Sequence, residues 1–590
     1  MAIAFLKSVN AFLALYFNSL LSSQPQVTTK NGEIQGIVET VQGQPVNLFL
    51  GIPFADPPVG SLRFMKPQPV SNWTGIRNTT AYGAVCMQEE MLISHGTQMS
   101  EDCLTLNVFV PGTLSNTTRK AVMVWIHGGG FMNGGTNVYH FHEFAIQGDV
   151  IVVSVNYRLG AFGFLTTGDV NAPGNAGLWD QIEGLKWVRD NIENFGGDPN
   201  NVTIFGESAG GSCVSQLAMT LAARGLFRRF ISMSGTALTE SAWVKDDADI
   251  ATKVGQNLGC NAAASEKAKL AACLRDANAT ALLKASAREV FPRHVTTPFG
   301  PVVDGDMFPL TVLEMLKDSN SDVVRNFLSL DYMGGFTNSD AGVYLLVLPF
   351  NTTLGVQPSY MKDTLIPQFA AEVSSYHQDE IARRLRGLYY DASADMAETG
   401  RLMVNYYTDT LFAVPTVGFL RYHLMAPGGS TYLFYFTKEP SFPHLVPVPA
   451  WFEGANHGDD LLFMLGLEVD VLINNINFTE AEKNISTAFM TYFANFAKTG
   501  NPNTPDAVPS PWPSYTHADE AYLDIGDVIL NETDVIPERI DLWLDTVPAI
   551  IAKPTTSAPP TTPVASDGNL DLISTILVAL ILLNTLIPFP

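Results

Sequence analysis

Basic residues are scarce in this chain: 34 Lys and Arg stand against 58 Asp and Glu in 590 residues, a formal net charge of −24. Such a surface repels phosphate backbones and anionic lipid heads, which excludes nucleic-acid binding. It permits a cationic substrate without requiring one, because a solvated acidic surface serves solubility equally well. Charge is low altogether, at 16%, beside 46% hydrophobic residues. That balance excludes a disordered chain and supplies a large core. Only five cysteines occur and no two form a CxxC pair, so no structural zinc site is spelled out and no metal or other cofactor is expected. Internal repeats and long linkers are also lacking between Val27 and Ile550. The length would allow about four domains at ~150 residues each, yet one large domain over residues 24–550 is the economical reading.

The two ends differ from the rest. Residues 1–23 carry Lys7 and then the apolar run Ala11 to Leu21, which is too short to span a bilayer and reads as a secretory signal peptide, the alternative being a buried N-terminal helix. Residues 551–568 form a Thr/Ser/Pro stalk with no apolar face to bury. Residues 569–590 are a hydrophobic tail with no basic residue after it. Preceded by Ser566, Asp567 and Gly568, it fits a signal for a glycosylphosphatidylinositol (GPI) anchor or a retained membrane helix. Both readings put the protein outside the cell, secreted or held by its tail at the outer face of the plasma membrane.

Nine Asn-x-Ser/Thr triplets agree with export: Asn72, Asn78, Asn116, Asn201, Asn278, Asn351, Asn477, Asn484 and Asn531 are the N-glycosylation candidates. The cysteines fit an oxidising compartment. Their spacing pairs Cys86 with Cys103 and Cys260 with Cys273, leaving Cys213 over.

Apolar runs alternate with helical stretches most clearly from Lys120 to Met233. Ala121 to Ile126 and Val150 to Val155 read as buried strands, Gly177 to Asn194 as a helix, and Val202 to Phe205 as a third strand, an order that implies a parallel sheet. At the end of that third strand stands Gly206-Glu207-Ser208-Ala209-Gly210, a GxSxG sequence followed by the helical run Cys213 to Leu221. Its glycines let the chain turn sharply from strand to helix and expose the serine hydroxyl.

A serine hydroxyl attacks only with a base to take its proton and donors fixed for the developing oxyanion. Directly after the first strand comes His127-Gly128-Gly129-Gly130-Phe131. The N–H groups of Gly129, Gly130 and Ala209 are the predicted oxyanion hole; a phosphate cradle is the weaker reading, since no GK[ST] follows. Chain order in this hydrolase class is nucleophile, acid, histidine, which leaves His457 and five other histidines after Ser208. His457 sits in a turn-rich segment, Gly454 to Asp460, between apolar stretches.

The run from Phe195 to Gly211 resembles the active-serine signature of the type-B carboxylesterase and cholinesterase family. So do Ser100 to Leu104, Asn156-Tyr157-Arg158 and Gly177 to Gln181, and the similarity extends from about Val27 to Leu542. The resemblance implies an α/β-hydrolase fold, with a large, mostly parallel central sheet flanked by helices, and a carboxylic ester hydrolase. Asp331 to Asp340 looks like the bile-salt-activated lipase branch, which carries Asp where most relatives carry Glu, and it places Asp340 at the acid. The expected mechanism is therefore a Ser208–His457–Asp340 acyl-enzyme cycle on lipid, acylglycerol or sterol esters. Gly128-Gly129-Gly130 looks instead like the carboxylesterase form, which argues against bile salt as a partner. The segment between Cys86 and Cys103 has no Phe, Tyr or Trp, which argues against a quaternary ammonium substrate. Two alternatives stand beside the lipase reading: a general short-chain carboxylesterase, and a non-catalytic adhesion protein of the same fold.

Overall fold

The structure is a computed structural model. It describes residues 24–89, 98–239, 242–244, 247–263, 265–287, 298–346, 348, 350–466 and 477–553. The expected signal peptide, most of the stalk and the hydrophobic tail lie outside the described residues. One sheet organises the molecule. Its strands are β1 (Ile37–Val41), β2 (Gln44–Pro53), β3 (Thr105–Pro111), β4 (Lys120–Ile126), β5 (Ile151–Val155), β6 (Gly197–Glu207), β7 (Arg229–Met233), β8 (Asp331–Thr337), β9 (Thr431–Phe436), β10 (Ala521–Ile525) and β11 (Ile529–Thr533). They pair in the order β11-β10-β9-β8-β7-β6-β4-β5-β3-β2-β1.

The seven strands from β10 across to β5 are parallel, as the strand–helix–strand pattern predicts. Both margins are antiparallel, which that pattern does not reveal. For the outermost pair the reason is local: β1 and β2 are joined by Gln42 and Gly43, both at positive φ (50° and 79°), the conformation of a tight hairpin turn whose twist matches that of the strands.

The parallel strands read as continuous apolar runs because both faces are covered. Along β4, Val122, Val124 and Ile126 enter one core, and Ala121, Met123 and Trp125 enter the other. The first core receives Leu178, Ile182, Leu185 and Val188 of helix α1 (Ala176–Asn191). Helix α1 stops three residues before the expected Asn194, where the chain tightens into a 3-10 turn, Ile192–Phe195, closed by Gly196 at φ 91°. Helix α2 (Ala209–Ala218) starts directly after Ser208, earlier than the apolar run suggests. The second core receives Phe489, Tyr492, Phe493 and Phe496 of a long helix, Glu480–Thr499, begun by a Thr479–Glu482 capping box and ended by Gly500. Both predicted disulfides, Cys86–Cys103 and Cys260–Cys273, are formed. Cys213 is free and buried.

Candidate active site

Parallel strands deliver their carboxyl ends to one edge of the sheet, and ligands of open α/β sheets bind outside that edge. Three loops there carry the predicted residues: Ser208 follows β6, Asp340 follows β8, and His457 follows β9.

Ser208 is held at φ 59°, ψ −126°, a region sparsely populated by non-glycine residues and costing on the order of 1–3 kcal/mol. Its N–H donates to Met233 O (2.8 Å), and its carbonyl accepts from Ser212 N (3.0 Å). The flanking glycines are steric requirements. A Cβ on Gly206 would lie 2.5 Å from the carbonyl carbon of Gly210, and one on Gly210 would lie 2.1 Å from Ile126 O. The turn therefore packs against the end of β4, where the glycine loop begins. That loop lies beside the serine: a Cβ on Gly128 would meet Glu207 O at 2.6 Å and Ser208 Cβ at 3.0 Å. Gly129 and Gly130, the next residues of that loop, take φ 108° and 59°, and Ala209 is the first residue of α2.

Asp340 is fully buried. Its Oδ2 accepts from Ser234 Oγ (2.7 Å) and from Thr337 N (3.0 Å), and its Oδ1 lies 2.6 Å from His457 Nδ1. The opposite ring nitrogen, Nε2, is 3.1 Å from Glu207 Oε1, but that oxygen has no hydrogen-bond partner, so the contact is electrostatic rather than directional. Burial alone would lower the proton affinity of His457. The negative charge of Glu207 and the hydrogen bond and charge of Asp340 outweigh it, raising the ring to about 9. Burial in turn raises Glu207 to about 7, against the pull of His457.

The loop bearing His457 is itself clamped. Asp459 accepts from Asn456 N (2.6 Å) and Leu445 N (3.1 Å), and its Oδ2 lies 2.6 Å from His444 Nδ1. Asp460, the second residue of helix α3 (Asp459–Leu465), is fully buried. Burial, then the charges of Glu207 and Asp340, raise its proton affinity well above that of an ordinary carboxylate. Sequence reasoning missed Ser234, Asp459 and Asp460 as supports; the doubled Asp459-Asp460 directly after His457-Gly458 was the available signal.

The other predicted sites divide clearly. Eight sequon asparagines are exposed, whereas Asn201 is half-buried, accepting from Arg229 and donating to Lys498 O (3.2 Å). Among the described residues, no group of three or more His, Cys, Asp or Glu could hold a metal ion, and no helix is long and apolar enough to cross a membrane.

A mostly parallel sheet with a strained serine between strand and helix, and an acid and a histidine on later loops of the same edge, is the α/β-hydrolase architecture. Residues 23–543 match the carboxylesterase family. Liver carboxylesterase 1 of Oryctolagus cuniculus is 36% identical over 552 residues, covering 89% of this chain and 94% of the relative. Carboxylesterase 1D of Rattus norvegicus is 37% identical over 531 residues, covering 86% and 90%, and carboxylesterase 5A of Mus musculus 34% over 551, covering 90% and 91%. The chain belongs to the carboxylesterase family. It is a carboxylic ester hydrolase.

Proposed function

We propose that the protein cleaves carboxylic esters through an acyl-enzyme on Ser208, with His457 as general base and acid and Asp340 as the residue that orients the imidazole. The observation that carries this reading is the 2.6 Å contact of His457 Nδ1 with buried Asp340, on a loop whose opposite ring nitrogen faces the residue next to Ser208. Ser208 Oγ attacks the ester carbonyl as His457 takes its proton. The tetrahedral oxyanion forms against the N–H groups of Gly129, Gly130 and Ala209. His457 then returns the proton to the leaving alcohol, and water activated by the same ring releases the acid. Only the neutral ring can accept the proton, so kcat/KM should climb with pH towards the titration of His457. Ser208→Ala in purified protein should abolish ester turnover; turnover that survives would sink the assignment.

Lipid, acylglycerol or sterol esters are the proposed substrate class, on the likeness of the Asp340 segment to bile-salt-activated lipase. The relatives named above favour the second reading, a general short-chain carboxylesterase. Rates on a short soluble ester and on a long-chain triacylglycerol emulsion, with and without bile salt, separate the two. Preference for the emulsion supports the lipase reading, and turnover of the soluble ester alone supports the other. An extracellular setting, membrane-held through the tail, is proposed as well, supported by two disulfides and eight exposed sequons.

A further inference from the structure

Gln88 belongs to no step of this chemistry, yet it is buried at 1% exposure and reaches the glycine loop. Its side-chain amide pairs with the backbone of Gly134 as one strand residue pairs with another: Gly134 N donates to Gln88 Oε1 (2.9 Å), and Gln88 Nε2 donates to Gly134 O (2.7 Å). The same Nε2 donates to Cys86 O (3.1 Å), two residues back, where Cys86 is bonded to Cys103.

Gly134 closes the loop that starts at His127. A Cβ there would lie 2.4 Å from His127 Nδ1 and 2.6 Å from Gly128 O, so this residue packs directly on the loop's first turn. Between the two ends, Met132 N and Asn133 N both donate to Gly129 O, at 3.0 and 3.1 Å. The Gly129 carbonyl and the Gly130 N–H belong to one planar peptide unit. Fixing that oxygen from one side aims the Gly130 N–H to the other. The start of the loop is pinned independently, since Tyr157 Oη donates to His127 O (2.8 Å).

We propose that Gln88 is a positioning residue for the oxyanion loop, transmitting the constraint of the Cys86–Cys103 disulfide through Gly134 to the Gly130 N–H. This rests on the reading of Gly129 and Gly130 as oxyanion donors. An amide serves here because it supplies a donor for Gly134 O and an acceptor for Gly134 N together, whereas a carboxylate lacks the donor, and a thioether lacks the donor and accepts only weakly.

The test compares wild type with Gln88→Met, which keeps the volume without the hydrogen bonds, and with Gln88→Glu, which keeps the acceptor alone. A displaced donor costs less than a deleted one, so kcat on a soluble ester should fall about tenfold, with KM changed less than about twofold. Affinity for a trifluoromethyl ketone, which forms a tetrahedral oxyanion on the serine, should fall in parallel, while affinity for the unreactive methyl ketone should hold. Replacing Cys86 and Cys103 by Ser should give the same loss, and adding Gln88→Met should lower kcat no further. Wild-type kcat and ketone affinity in a folded Gln88→Met, a loss that vanishes once rates are expressed per titrated serine, or additive losses with the disulfide variant would each overturn the proposal. Ser208→Ala is run alongside: turnover surviving there defeats the serine reading itself, whereas an inert Ser208→Ala beside a normal Gln88→Met defeats this inference alone.

Discussion

Two buried histidines stand at the carboxyl edge of the sheet, each directly on a loop that serves the site, and their chemistry is opposite. His127 opens the glycine loop after β4 and is 1% exposed. Burial lowers it to about 4, against a hydrogen bond with the Gly128 carbonyl, and its ring stacks on Tyr157 at 4.4 Å. His457 is 9% exposed and is raised to about 9 because carboxylates approach both of its nitrogens. Burial is common to the two rings; the carboxylates are not. A buried imidazole is therefore a neutral framework part by default, and it becomes a proton acceptor of use only where the fold brings acids to it.

The strongest way to break the comparison is to remove the acid proposed to orient His457. Asp340→Asn should lower kcat about 10⁴-fold, the loss expected when the carboxylate of a serine–histidine–aspartate triad is neutralised. A loss below tenfold in stopped-flow or steady-state rates would show that Asp340 does not serve this ring.

The next effect is on stability, and the two rings should act in opposite pH windows. His127 holds a folded value below its ordinary 6.5, so the stability of its neutral form is complete above pH 6.5 and is lost as pH falls from there towards 4. His457 holds a folded value above 6.5, so its contribution is present below pH 6.5 and is lost as pH rises towards 9. Denaturant unfolding across these ranges should show His127→Gln losing less stability than wild type on acidification, by up to about 3 kcal/mol. His457→Gln should be the flatter of the two on the alkaline side. Identical slopes for both variants would mean that the rings share one environment after all.

Smaller still is the effect of the second acid. Glu207→Gln removes a negative charge beside His457 Nε2, so the acid limb of the kcat/KM profile should move to lower pH by about one unit. A limb that stays in place would assign the high proton affinity to Asp340 alone.

How far the sequence reveals this arrangement depends on the distance over which each contact is encoded. The serine turn was legible because every requirement for it lies between Val202 and Leu221: a strand, close-approach glycines and a helix. The glycine loop was legible for the same reason. Asp340 and His457 were not legible from spacing, since they meet across a sequence separation of 117; only likeness to known hydrolases singled them out. The supports were less visible still. Ser234 reaches Asp340 across 106 residues and Gln88 reaches Gly134 across 46, and neither carries a local pattern. The antiparallel outer pair β1/β2 escaped notice because its hairpin is written in two turn residues rather than in a strand's composition.

The unpaired cysteine has a consequence of its own. Cys213 lies in α2, fully buried, with Gln181 Nε2 donating to its sulfur at 3.2 Å, and burial pushes the thiol up to about 12. Thiol–disulfide exchange needs a thiolate that can reach a disulfide, so the folded chain keeps its one reactive sulfur away from both of its bridges. Unfolding releases it, and at alkaline pH the chain then holds both the nucleophile and the targets for scrambling its own cross-links. Heat inactivation at alkaline pH should therefore follow how often the chain opens, and Cys213→Ser should slow it.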